Sequence, residues 1–139
     1  MPFEVDLDPA HSVIRLTLIE EVVSLECAEA CYKFLSQISS SAGPYAAIYD
    51  LSVATDTTIS TQMVRNFASR PPSIPIGRPQ VVVGKAPVIY GLGRLFQACE
   101  ERSGSQYDVV HTLEEAYEIV GVRPQDFTER LFPEVTADA

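Results

Sequence analysis

The chain has 139 residues, 46% of them apolar and 21% charged, with a net charge of −9 at neutral pH. That length and mixture specify one globular domain with a core that needs neither disulfides nor a structural metal, and they exclude long disorder away from the chain ends. The negative balance excludes nonspecific attraction to nucleic acid or anionic lipid, because both are polyanions.

Phe3 to Leu7 alternates apolar and acidic side chains, Asp8-Pro9-Ala10 turns the chain, and Val13 to Ile19 resumes with Ile14, Leu16 and Leu18 on one face. A β-hairpin is therefore expected to open the fold. Ser24 can cap a helix from Leu25 to about Ser39, with Cys27, Cys31, Phe34, Leu35 and Ile38 at helical spacing and Gly43-Pro44 as its stop. Tyr45 to Leu51 is almost continuously apolar, the composition of a central strand buried on both faces. A second helix is expected over about Ile59 to Ser69, with Ile59, Met63, Val64 and Phe67 in one stripe and Arg70-Pro71-Pro72 at its end.

Ser73 to Pro79 carries two prolines and a glycine and reads as a connecting loop. Gln80 to Val83 is a second buried strand, and Pro87 suits the first turn of a third helix whose stripe runs through Val88, Leu92, Leu95, Phe96 and Cys99. Tyr107 to Val110 is a short strand, and Thr112-Leu113-Glu114-Glu115 has the form of a capping box opening a helix to Val120, closed by Gly121. Pro124, with Phe127 and Leu131 four apart, predicts a last short amphipathic helix. The domain proper is thus expected over residues 1–121, with 122–139 as a helical extension whose last residues, Glu134 to Ala139, fray. Strands alternating with helices after a hairpin specify an α/β fold with a mixed sheet of about five strands and helices packed against it.

This order of elements resembles the STAS fold, and the string from Val81 through Gly84-Lys85-Ala86-Pro87 and Tyr90-Gly91-Leu92-Gly93-Arg94-Leu95-Phe96 to Ala98 is similar to the SpoIIAA-like branch of that superfamily, related to SEC14-type domains. Leu113-Glu114-Glu115-Ala116 resembles the closing helix of the same family. Tyr49-Asp50-Leu51-Ser52 through Asp56-Thr57-Thr58 is similar to the segment that carries the phosphorylated residue in anti-sigma-factor antagonists, with Ile59 standing where they have glycine. The resemblance implies a non-enzymatic STAS-like interaction or regulatory module, with Thr57 or Thr58 as a possible phosphorylation site and a kinase or anti-sigma partner.

Between Thr57 and Cys99 there is no Asp or Glu, while Arg65, Arg70, Arg78, Lys85 and Arg94 all fall there. These cations, with Asp56 at the turn before the second helix, are either scattered solvated charge or a face for an acidic protein partner or an anion. Thr57, Thr58 and Ser60 compete for the N-cap of the second helix, a role compatible with phosphorylation, since a phosphate there meets free N–H groups.

Cys27, Cys31 and Cys99 are an odd set within amphipathic patterns and read as reduced, buried thiols; no metal and no cofactor is expected. His11 and His111 have no recognisable nucleophile and carboxylate beside them, and Asp50 and Asp56 are too generic for a catalytic pair, so no enzyme is predicted. The alternative to the interaction module is a binding module for a lipid or another apolar molecule, in a cleft near Tyr90, Gly91 and Phe96. A homodimer is expected through the outward hairpin positions Val13, Arg15, Thr17 and Ile19 and the terminal Phe127 and Leu131. The start of the chain lacks the basic and apolar segments of a secretion signal, and no run approaches the ~20 apolar residues of a membrane span, so a cytoplasmic address is expected.

Overall fold

The computed structural model describes residues 2–42, 45–71, 78–100 and 106–132. Strands β1 (Phe3–Asp8) and β2 (Val13–Leu18) form the expected antiparallel hairpin, in register from Phe3 opposite Leu18 to Asp8 opposite Val13. Its turn is organised by the buried Asp8 carboxylate, which accepts the Ala10 and His11 N–H groups at 3.0 and 3.2 Å and lies 2.7 Å from His11 Nδ1. A short acceptor that folds back on the next two amides is what favours aspartate at such turns.

From β2 onward the sheet grows by parallel crossovers. Helix α1 (Leu25–Ala42) leads to β4 (Ala46–Asp50), α2 (Thr61–Ala68) to β6 (Gln80–Val83), and α3 (Pro87–Glu100) to β7 (Tyr107–Val110). Two short strands inside these crossovers, β3 (Val22–Val23) and β5 (Asp56–Thr57), pair in parallel as a separate two-stranded sheet. With β8 (Glu129–Leu131) the main sheet has six strands in the order β7-β6-β4-β2-β1-β8, one more than expected. β4 is interior, between two parallel neighbours, and its Ala46, Ala47 and Ile48 are fully buried, as its apolar run requires.

The pleat divides the sheet residues between two cores. Phe3, Val5, Leu7, Ile14, Leu16 and Ala47 meet Phe34 and Leu35 of α1. On the opposite face Val13, Ile48, Val81, Val83 and Val110 meet Ala116 and Tyr117 of α4 (Leu113–Val120). Burying an isoleucine such as Ile48 contributes about 1.5–3 kcal/mol relative to leaving it in water. A third cluster joins Leu18, Val23, Cys27, Ala54, Val64, Ile89 and Leu92 around the C-terminal ends of the strands.

Helix boundaries follow their caps. Ser24 accepts from the Cys27 N–H at 3.2 Å, Ser60 accepts from Met63 at 3.2 Å, and Thr112 with Glu115 forms the expected capping box. Helix α2 therefore starts two residues later than the stripe from Ile59 indicated, and Ser60, not Thr57 or Thr58, is its cap. Gly121 closes α4 at φ 80°, a left-handed conformation that glycine adopts without a steric penalty. In α3, Ile89 and Leu92 are buried while Val88 is 45% exposed, so the inward face is one residue out of phase with the expected stripe at its start.

The predicted C-terminal helix is replaced by one 3-10 turn, Pro124–Asp126, followed by β8. Asp126 accepts from the Arg123 N–H at 2.9 Å and closes that turn; β1 then offers an open edge, and the chain pairs with it, Leu131 opposite Val5 and Glu129 opposite Leu7. The expected tail from Glu134 lies outside the described residues, as does most of the loop Ser73 to Pro79. Of the hairpin positions expected to dimerise, Val13 and Arg15 are engaged within the chain, while Ile19 stays 51% exposed. Val13 is 1% exposed, Arg15 donates to the Tyr117 hydroxyl at 2.8 Å and lies 4.5 Å from the Phe127 ring, and Asp6 takes both Arg15 at 3.3 Å and Arg130 at 2.8 Å. Among the described residues, no helix is long and apolar enough to cross a membrane.

Candidate functional site

A cavity of about 170 Å³ lies between α1, α3 and the sheet. Leu16, Leu18, Tyr49 and Val82 form its floor; Cys27, Ala28, Cys31 and Leu35 of α1 face Leu92, Gly93 and Phe96 of α3 across it. Its origin is in side-chain size. The inward positions 27, 28 and 31 of α1 are small, so the helix meets the sheet firmly only further along, at Phe34 and Leu35. α3 is drawn tight against β6 and β7, because a Cβ at Gly93 would stand 2.9 Å from a Val109 methyl and 3.3 Å from a Val82 methyl. The gap is roofed by an edge-to-face aromatic series, Tyr32–Phe67 at 5.5 Å and Phe67–Phe96 at 6.0 Å between centroids.

Polar groups at the margin are paired with one another. Tyr49 donates to Gln80 at 2.8 Å, Gln97 donates to the Tyr107 carbonyl at 2.8 Å, and Tyr32 donates to the Pro71 carbonyl at 2.6 Å, tying the end of α2 to α1. Arg70 stands at the rim with its guanidinium 4.9 Å from the Phe67 centroid and 5.5 Å from that of Tyr32. Its two terminal nitrogens each donate to a different oxygen of Glu29, one at 2.6 Å. That hydrogen-bonded pairing holds the Glu29 carboxyl below the usual carboxylate range and raises Arg70. Burial, and after it the neighbouring Cys27, pushes the Cys31 thiol up to about 12, so it faces the cavity as a neutral, weakly polar group.

The anticipated site residues are dispersed. Thr57 is half-buried in β5, its hydroxyl donating to the Val23 carbonyl at 2.8 Å and accepting from the Ile59 N–H at 3.0 Å. A phosphate there would have to break the bond to Val23 and would still not cap α2. Thr58 is exposed beside it, and the exposed Asp56 carboxylate accepts the Thr57 N–H at 2.8 Å. The five cations do not form one face. Arg78 donates to the His11 carbonyl at 3.0 Å near one end of β6, Lys85 follows the other end, Arg65 and Arg94 are exposed on α2 and α3, and Arg70 is held by Glu29. Of the expected cleft, Phe96 lines the cavity, but Tyr90 stacks on His111 at 4.0 Å and Gly91 faces open space.

Two groupings escaped sequence reasoning. One is the rim of Glu29, Tyr32 and Arg70, whose partners are 38 and 41 residues apart in the chain and carry no local motif. The other brings ligand atoms of Asp8, His11 and Asp126 within 4.8 Å of one another. Its carboxylates are engaged, Asp8 by the hairpin turn and Asp126 by the Arg123 backbone and guanidinium at 2.9 and 3.3 Å. The thiols of Cys27, Cys31 and Cys99 are free. Compared with protein-family models, curated proteins and solved structures, the chain matches none.

Proposed function

We propose that this chain is a non-enzymatic binding module for a small apolar molecule held between α1, α3 and the sheet. The observation that carries the reading is the cavity itself. Its volume of about 170 Å³ is close to the ~150 Å³ of engineered apolar cavities that take up benzene. Its lining is aliphatic, aromatic and thiol, and the polar groups at its margin are satisfied by one another, which favours retention of an apolar guest over chemistry on it. The similarity of the Val81 to Ala98 string to SpoIIAA-like proteins, related to SEC14-type domains, points the same way. Toluene, a probe of matching size, is expected to bind and raise the melting temperature by several degrees. At ten times its Kd the stabilisation is about 1.4 kcal/mol. An unchanged melting temperature at saturating toluene would exclude the reading.

A second reading, the STAS-like regulatory interaction module, is favoured by a different observation. Ile19, Val22 and Val53 are 51%, 42% and 49% exposed. They lie on segments joined at one end of the fold, where the Glu21 carbonyl accepts from the Thr55 and Asp56 N–H groups, close in the chain to the exposed Thr58. With the cations spread over the molecule, the residues flanking these side chains are acidic, Glu20, Glu21 and Asp56. A neutral or basic partner therefore fits this end better than an acidic one. A second copy of the chain, itself with a net charge of −9, meets this end only where salt screens the repulsion of the acidic flanks and the apolar side chains hold the pair, so self-association is tested at high salt. Light scattering is expected to find a dimer at micromolar concentration that Val22→Asp with Val53→Asp dissolves; a wild-type monomer contradicts self-association through this end.

A further inference from the structure

We propose that the cavity and a shallow groove outside it form one site for an amphipathic monocarboxylate, whose apolar part fills the cavity and whose carboxylate displaces Glu29 from Arg70. The proposal rests on the cavity being a ligand site and names the class of ligand. Tyr32 and Arg70 line both the cavity and the outer groove, which continues over Glu29, Lys33 and Gln37. These two side chains thus stand between the cavity and a groove whose surface is also largely apolar but which carries the Glu29 and Lys33 charges. A molecule that is apolar at one end and charged at the other matches that sequence of surfaces.

The charge of the head follows from what Arg70 already holds. Its two nitrogens donate to the two oxygens of Glu29, a fork-on-fork arrangement that a planar carboxylate fits and a cation does not. The guanidinium is positioned for this by the Phe67 and Tyr32 rings. Glu29 therefore stands in the place of the ligand head. Exchange is inexpensive, because the Glu29 side chain is 42% exposed and returns to water, and exposed ion pairs are weak. Lys33, one helical turn further along α1, is spaced to pair with the released carboxylate. The exchange gains because the incoming carboxylate takes over the Arg70 fork while the released Glu29 pairs with Lys33, one charge-assisted contact more than before. The cavity volume limits the apolar part to about one six-membered ring or a chain of about six carbons.

The test uses the full chain and two probes of one size, toluene and phenylacetate, titrated calorimetrically into wild type, Arg70→Met and Glu29→Gln. Phenylacetate is expected to bind wild type about tenfold more tightly than toluene. Arg70→Met, which keeps the aliphatic stem but removes the fork, brings the phenylacetate-to-toluene affinity ratio from about ten down to about one, and this ratio is read whatever the substitution does to toluene itself. Glu29→Gln weakens the internal competitor and raises the same ratio about two- to fivefold. Equal affinities for the two probes, or a ratio indifferent to both substitutions, overturn the proposal while leaving the cavity reading in place. Failure of both probes to bind wild type overturns both. If Arg70→Met does not fold, Glu29→Gln decides alone, and an unchanged ratio sinks the idea.

Discussion

A protein with Cys31→Phe is expected to fold as the parent does and to bind toluene at least about 100-fold more weakly. Cys31 lies on the inward face of α1 and lines the cavity, so a phenyl ring in place of the thiol occupies the volume a ring-sized guest would take. Binding in an apolar cavity depends on contacts around the guest, and a guest with no space left has none. Stability is pulled both ways. The new ring gains dispersion contacts with Leu92 and Phe96, while imperfect fit in a packed interior costs about 1–3 kcal/mol. The melting temperature should stay within a few degrees of the parent's, and the loss of binding should far exceed any loss of stability. Calorimetric titration with parallel thermal unfolding separates the two, and unchanged toluene affinity in a folded Cys31→Phe protein would place the probe elsewhere.

The second large effect concerns two glycines seven residues apart whose substitution by alanine should change stability in opposite directions. A Cβ at Gly84 would stand 2.9 Å from the Tyr90 amide nitrogen, 3.0 Å from its Cα and 3.1 Å from the Ile89 carbonyl carbon. All three are backbone atoms of α3, so relief requires moving the helix away from β6. Gly84→Ala should cost about 3 kcal/mol, or roughly 10 °C in a chain of this length. Gly91 has nothing within 4 Å of the same position and lies on the exposed side of α3. Gly91→Ala should therefore gain about 0.5–1 kcal/mol from helix propensity alone. Urea unfolding of the two proteins measures both values. A neutral Gly84→Ala would mean that α3 is not seated as closely on β6 as this packing requires.

What the sequence discloses here is the periodic part. The hairpin is legible because Phe3, Val5 and Leu7 alternate with acids, and α4 because Thr112 and Glu115 cap it reciprocally. β4 is legible because both of its faces are covered and its apolar run says so. The final segment is misread because a spacing of four, Phe127 to Leu131, is one helical turn and also two strand repeats; the open edge of β1, far away in the chain, decides between them. The same dependence on distant partners hides β3 and β5, two residues each.

The site was partly legible. Phe96, expected in a cleft under α3, lines the cavity, and Arg70, one of the cations expected to face an anion or an acidic partner, stands at its rim. The sequence pattern puts Tyr90 and Gly91 in that cleft because the phase of α3 on the sheet is set by Ile89, Leu92 and Gly93, which no local rule distinguishes from Val88, Leu92 and Leu95. The signal for the cavity was present in Cys27, Ala28 and Cys31, three small residues on the inward side of a helix otherwise filled by Phe34 and Leu35. It becomes a volume only once the floor of Leu16, Tyr49 and Val82 is in place. Thr57 carries a motif-like context, but its hydroxyl is spent on the local Ile59 amide and on the Val23 carbonyl, the second a bond that exists only because β3 lies beside β5.

The most direct test of the central claim is a toluene titration of the methyl-labelled protein followed by carbon–proton correlation spectra. The account predicts saturable shifts concentrated on the methyl groups of Leu35, Val82 and Leu92, which line the cavity, with Ile119 and Val88 on the outer surface unmoved. Shifts confined to exposed side chains such as Val22 and Val53, or no saturable shifts at all, would contradict it.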